Sequence, residues 1–217
     1  MEYIQIAIDG PAGAGKSTIA KKIAKCLDIT YIDTGAMYRA LTYKVLVNNV
    51  DIYNEEEIIK LARESDIKFF QENIYLDNQK VNEEIRSIEV NKNVSYVAKI
   101  REVRLILVNL QRKIALDQDV IMDGRDIGTH VLPNARLKIF LTASVEERAT
   151  RRYTELKGKC NDISFNEIKK DIINRDKIDS ERKSAPLVKA EDAIVIDTTG
   201  LSIDDVVEKI IDLLRGE

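Results

Sequence analysis

Nine consecutive residues, Gly10, Pro11, Ala12, Gly13, Ala14, Gly15, Lys16, Ser17 and Thr18, combine glycines, a lysine and hydroxyls at spacings suited to a polyphosphate. Gly10, Gly15, Lys16 and Ser17 fill every fixed position of G-x-x-x-x-G-K-[ST]. Glycines let the backbone curl until its N–H groups point at a β-phosphate. A helix that follows adds its positive N-terminal end. Lys16 is then expected to bridge the β- and γ-phosphates, and the Ser17 hydroxyl to ligate Mg²⁺. Asp123 closes the apolar run at 119–123 and is expected to meet the same Mg²⁺, through water. The motif speaks for a nucleoside triphosphate and leaves the reaction open.

A phosphoryl acceptor has to be recognised elsewhere. Transfer between two polyanions rests on positioning and charge neutralisation, so separated arginines are the signal to seek. The stretch DTGAMYR at 33–39 supplies Thr34 and Arg39, and DGRDIGT at 123–129 supplies Arg125 and Asp126. In RDKIDSER, Arg175, Asp179 and Arg182 are spaced i, i+4, i+7, which puts two guanidiniums and a carboxylate on one helical face. Such a face can grip a phosphate through arginine and a sugar hydroxyl through aspartate. The competing reading is a set of surface ion pairs worth about 0.3–0.5 kcal/mol each. Tyr38 reads as a packing residue. His130 reads as incidental, because a bound phosphate acceptor is already the nucleophile.

The elements that must hold these groups follow from periodicity. Residues 3–8 form a short β-rich run, and Ile19, Ile23 and Leu27 recur every four residues after the glycine loop. Strand, glycine turn and helix are the context a phosphate-binding loop requires. The runs at 119–123 and 137–143 read as buried parallel strands, and 192–199 as another before a final amphipathic helix. This alternation predicts a doubly wound α/β sheet. Two stretches depart from it. Residues 66–82 resemble a small antiparallel insert. Residues 148–183 hold eleven Lys or Arg against seven Asp or Glu and read as a polar helical hairpin over a site.

Composition excludes several function classes. The 217 residues are 44% hydrophobic and 33% charged, as in an ordinary globular domain. A net charge of -3 makes no overall case for nucleic acid or an anionic membrane. The basic stretch alone keeps a nucleic-acid reading in play, which would show as salt-dependent oligonucleotide binding. One histidine rules out a histidine-based triad and a multi-histidine metal site. Cys26 and Cys160 lack CxxC spacing and read as reduced thiols. No signal-peptide pattern is read at the start, and no apolar run approaches the roughly 20 residues of a membrane span. The cytoplasm is the expected location. A GTPase reading fails because NKNV at 91–94 lacks the aspartate of a guanine-reading NKxD.

Seven stretches in order, IDGPAGAGKST, DTGAMYRALT, EIRSIEV, VSYVAKIREVR, DGRDIGT, KIFLTASVEERATRR and RDKIDSERKSAPL, resemble the bacterial cytidylate kinases nearly end to end. The resemblance implies a nucleoside-monophosphate-kinase fold in which a parallel sheet is flanked by helices. Its core would comprise 1–59, 96–147 and 184–217, with a monophosphate-binding insert at about 60–95 and a helical lid at about 148–183. It implies transfer of the ATP γ-phosphate to CMP or dCMP by a monomer, with Mg²⁺. Carried over by motif, Ser95, Arg104 and Asp126 would read cytosine. Thr34, Arg39 and Arg125 would hold the acceptor phosphate, with Arg182 joining on lid closure, and Arg175 and Asp179 would contact the sugar. Arg148, Arg151 and Arg152 begin the lid, with Arg151 assigned to ATP. Lys16, Arg125 and Arg182 would stabilise the transferring group. Thr34 and Ile178 stand where some members carry serine and arginine. A kinase preferring UMP is the nearest alternative, and a non-catalytic nucleotide-binding regulator a more distant one.

Overall fold

The computed structural model describes residues 3–70, 72–157 and 164–216; Cys160 lies outside them. Five parallel strands form the central sheet: β1 (Gln5–Asp9), β2 (Thr30–Asp33), β6 (Val120–Gly124), β7 (Leu137–Thr142) and β8 (Ile194–Asp197), in the order β2-β6-β1-β7-β8. The expected strands are all present, with ends shifted by a residue or two.

Helices on both faces explain why the strands read as continuous apolar runs. Successive side chains alternate between faces. Ile6, Ile8 and Ile121 pack with Ile19, Ile23, Val206 and Ile210 of α1 (Lys16–Leu27) and α8 (Ile203–Arg215). Ala7, Val120 and Met122 point the other way, onto Ile127, Val131 and Leu132.

A second core sits beside the sheet. There α2 (Thr34–Val47), α3 (Glu55–Glu64), α4 (Ile88–Ala98) and α5 (Arg101–Ile114) pack around Met37, Leu41, Ile58, Val97 and Leu107. The insert is antiparallel as expected, with β3 (Ile67–Phe70), β4 (Asn73–Leu76) and a two-residue β5 (Gln79–Lys80). Ile74 and Leu76 face the second core, and Lys44 of α2 pairs with Asp77 at 2.6 Å.

The polar hairpin consists of α6 (Val145–Lys157) and α7 (Phe165–Glu181). Its few apolar residues gather in a small core of Ala149, Ile168 and Ile172, with Tyr153 edge-on to Phe165 at 6.1 Å. The first of these helices starts three residues before 148. Arg182 falls just past the end of α7, with extended backbone.

Candidate active site

The site lies beyond the carboxyl ends of β1, β2 and β6, where open α/β sheets bind ligands. Gly10 leaves β1 at φ 145, and a Cβ there would lie 2.0 Å from the Leu141 carbonyl oxygen of β7. Only glycine fits so close an approach. Gly15 caps α1 at φ 88, so the loop closes onto the helix N-terminus.

Lys16 is 5% exposed, and its Nζ donates to the Pro11 carbonyl at 2.8 Å. Burial, followed by the Arg125 charge, pulls its ammonium down to about 7. Ser17 Oγ donates to Asp123 Oδ2 at 2.9 Å, and the Tyr31 hydroxyl to Asp123 Oδ1 at 2.7 Å. Burial and the neighbouring Asp33 push Asp123 up to about 6.

The hairpin touches the same loop. Arg148 Nη1 donates to the Ala12 carbonyl at 3.0 Å and to Asp176 Oδ2 at 2.6 Å, while Asp176 Oδ1 accepts from the Ala12 N–H at 3.4 Å. Arg151 reaches across to Thr198, donating to its hydroxyl at 3.1 Å and its carbonyl at 2.9 Å. Its Nη1 would stand 3.7 Å from a Cβ on Gly15. Arg152 instead pairs with Glu155 at 3.0 Å.

Beside the loop, residues from widely separated stretches converge. Arg125 Nε donates to Asp179 Oδ2 at 2.9 Å, and Ser95 Oγ to Asp179 Oδ1 at 3.5 Å. Arg182 Nη1 lies 3.9 Å from Asp179 Oδ1, and its Nη2 lies 3.5 Å from Asp126 Oδ1. Asp126 Oδ2 accepts from Arg104 Nη2, and the Arg104 guanidinium sits 5.2 Å above the Tyr38 ring. Arg175 joins them, its charge within reach of Asp179.

Burial opposes ionisation of Asp179, yet the Arg125, Arg175 and Arg182 charges hold it below the usual carboxylate range. Burial and the Arg125 charge bring Arg175 down to about 10. Asp33 caps α2 by accepting from the Ala36 N–H at 2.8 Å and pairs with Arg39 Nη2 at 2.7 Å. The Thr34 hydroxyl donates to the Asp123 carbonyl at 2.7 Å. Nε of Arg39, Arg104 and Arg175, Nη2 of Arg182 and the Tyr38 hydroxyl are buried without a hydrogen-bond acceptor among the described residues. Such groups are costly unless something engages them, and an anionic, hydrogen-bonding ligand would do so.

The geometry gathers Thr34, Arg39, Ser95, Arg104, Arg125, Asp126, Arg175, Asp179 and Arg182 at one end of the sheet, next to Lys16 and Ser17. His130 is exposed and turned to Thr129, away from the cluster. Tyr38 is buried, as expected of packing, but it packs directly under Arg104. Tyr31, Asp33, Asp176 and Thr198 belong to the site and were missed. Asp33 and Asp176 lie inside motifs already singled out. Tyr31 and Thr198 carry no local signal, because their partners are 92 and 47 residues away.

A sequence model described as cytidylate kinase matches residues 6–216. A curated protein named cytidylate kinase from Alkaliphilus oremlandii (strain OhILAs) is 74% identical over 216 residues, covering 100% of both chains. Another of that name, from Alkaliphilus metalliredigens (strain QYMF), is 58% identical over 217 residues, covering 100% of this chain and 99% of its own. Among solved structures, shikimate kinase from Bacteroides thetaiotaomicron is similar with a TM-score of 0.50 at 14% identity, covering 98% of each chain. That likeness concerns the fold alone.

Proposed function

We propose the following roles for the residues of a chain that belongs to the cytidylate kinase family and transfers the γ-phosphoryl group of ATP to CMP or dCMP. The observation that carries the reading is the convergence of Arg104, Arg125, Asp126, Asp179 and Arg182 beside the donor loop. The loop from Gly10 to Thr18 wraps the ATP phosphates with its N–H groups. Lys16 exchanges the Pro11 carbonyl for the β- and γ-phosphates. Arg148 and Arg151 hold the hairpin against the loop.

On the acceptor side, Asp126 accepts from the exocyclic amine of cytosine, with Arg104 and Ser95 on the neighbouring edge. Uracil presents an oxygen to that carboxylate, so CMP is favoured over UMP. Arg39 and Arg125 grip the acceptor phosphate, with the Thr34 hydroxyl alongside. Arg175 and Asp179 face the sugar, and Arg182 closes over the transferring group. The acceptor phosphate oxygen attacks the γ-phosphorus in line while Lys16, Arg125 and Arg182 neutralise the developing charge. Closure of the hairpin at about 148–183 onto the core excludes water.

The donor set suits Mg²⁺. Ser17 Oγ and Asp123 Oδ2 are hard oxygens 2.9 Å apart. Among the described residues no group of three His, Cys, Asp or Glu stands together as a metal cage. One or two protein oxygens, completed by phosphates and water, are what Mg²⁺ takes in phosphoryl-transfer sites. When bound, the ion neutralises charge on the β- and γ-phosphates. Ser17 would hold it directly and Asp123 through water, with the Tyr31 hydroxyl fixing that carboxylate.

Action as a monomer is what the resemblance to the family implies, and it is part of this reading. Among the described residues no helix is long and apolar enough to cross a membrane, and we place the enzyme in the cytoplasm. ADP release from Mg²⁺-ATP with CMP, dCMP, UMP, AMP and GMP in turn tests the reading. Preferential turnover of CMP and dCMP is expected. Preference for UMP would overturn the base-reading roles of Ser95, Arg104 and Asp126.

A further inference from the structure

Asp9 closes β1 one residue before the donor loop, and none of the roles above uses it. It is 4% exposed. Its two oxygens are divided between two backbone donors of the acceptor side: Oδ1 accepts from the Ile127 N–H at 2.8 Å and Oδ2 from the Gly128 N–H at 2.7 Å. Those amides open the π-helical turn Ile127–Val131, which follows directly on Arg125 and Asp126.

The turn is crowded from the far side as well. A Cβ on Gly128 would lie 3.1 Å from Lys138 Cδ and 3.4 Å from Asp9 Oδ2. Asp9 itself is anchored in the sheet, in register with Gly124 of β6 and Phe140 of β7. Gly10 is wedged against the Leu141 carbonyl immediately after it.

We propose that Asp9 is a positioning residue for acceptor recognition: its carboxylate clamps the Ile127 and Gly128 amides and thereby aims Arg125 and Asp126 at the nucleoside monophosphate. Two N–H groups at the start of a single turn offer no satisfaction of their own, since the first amides of a helix lack intrahelical partners. A buried carboxylate taking one bond on each oxygen fixes both the position and the rotation of that turn. Burial pushes the Asp9 carboxyl up to about 6 against the pull of those two bonds, so it is mostly ionised at neutral pH. Toward the donor loop Asp9 acts only through its charge, within electrostatic reach of Lys16, whereas it bonds the Ile127 and Gly128 amides directly.

The proposal rests on the base-reading role given to Asp126, so the test compares Asp9→Asn with Asp126→Asn. The asparagine keeps one acceptor and turns an N–H₂ toward a backbone N–H. The kcat/KM for CMP should then fall by about tenfold or more, mainly through KM. The preference for CMP over UMP should shrink in the direction of Asp126→Asn. The Kd for Mg²⁺-ATP should stay within about twofold, as for any loss confined to the acceptor.

If Asp126→Asn erodes the CMP preference while folded Asp9→Asn leaves it unchanged, the clamp is overturned and the base-reading role stands. If Asp126→Asn leaves the preference unchanged, the base-reading role falls. Amide exchange at Ile127 and Gly128 then decides the clamp: faster exchange in Asp9→Asn supports it, and unchanged exchange overturns it. Should Asp9→Asn fail to fold, the wild-type protein still gives an answer. Its Ile127 and Gly128 amides should exchange as slowly as those of β1 without CMP, and rapid exchange there would refute the clamp.

Discussion

Binding of ATP should draw a proton from solution at mildly alkaline pH, and Lys16 is the group that takes it. Before ATP arrives, Lys16 is buried against Pro11, and burial together with the Arg125 charge lowers its ammonium to about 7. At pH 8 only about a tenth of the molecules then carry a charged Lys16. Polyphosphate beside the amine reverses the balance, because an adjacent opposite charge favours the ionised form. ATP binding at pH 8 is therefore expected to take up about 0.9 proton per site. Relative to pH 7, where Asp9 and Asp123 are already mostly ionised, the linked cost is about 1 kcal/mol, a roughly fivefold weaker Kd. The sign follows from the lysine: affinity falls as pH rises above the ligand-free value and levels off only near the ligand-bound one.

Titration calorimetry in two buffers of different ionisation enthalpy measures the uptake directly. At pH 8 the ATP phosphates are fully ionised, and Asp9 and Asp123, near 6, contribute little. Lys16→Ala should bind ATP weakly and without uptake, and Lys16→Arg should bind with no uptake because its guanidinium is already charged. A wild-type protein that binds ATP at pH 8 with no dependence on buffer enthalpy would refute the reasoning. So would uptake that survives in Lys16→Arg.

Two further outcomes follow from the packing. Gly10→Ala places a Cβ 2.0 Å from the Leu141 carbonyl at a φ of 145, and should cost at least about 4 kcal/mol. Thermal unfolding within a few degrees of wild type would contradict that. Asp179→Asn leaves Arg125, Arg175 and Arg182 without their shared counter-charge; a loss of about 3 kcal/mol and a melting temperature roughly 10 °C lower are expected. An unchanged melting temperature together with an unchanged KM for CMP would show that the carboxylate is dispensable.

The donor loop was legible because its information is local. Eight residues running from the end of a strand into the first turn of a helix encode their own shape, and Gly10, Gly15, Lys16 and Ser17 do the same work wherever that context recurs. Central strands were legible because burial on both faces leaves an uninterrupted apolar run. The hairpin showed itself by the opposite property, a basic stretch with few aliphatic residues. Arg175, Asp179 and Arg182 were expected on one helical face and do converge, although Arg182 lies just beyond the helix and reaches Asp126 from extended backbone. Ser95 and Arg104 were named only through resemblance. Nothing in their own stretches marks them, because one sits in each of two ordinary helices, α4 and α5.

The sequence by itself determined a phosphate-binding loop on a parallel α/β core and arginine motifs of the kind an anionic acceptor requires. It also determined, through seven ordered motifs, the family. The pairing of those charges was decided by the tertiary structure alone. Asp179 meets Arg125 across 54 residues, Asp123 meets Ser17 across 106, and Asp9 meets Gly128 across 119. A carboxylate at the end of a strand looks the same in sequence whether it caps a turn, waits for a metal or clamps a distant loop. Its role is set by which donors the packing of other elements brings within about 3 Å, and by how completely that packing excludes water.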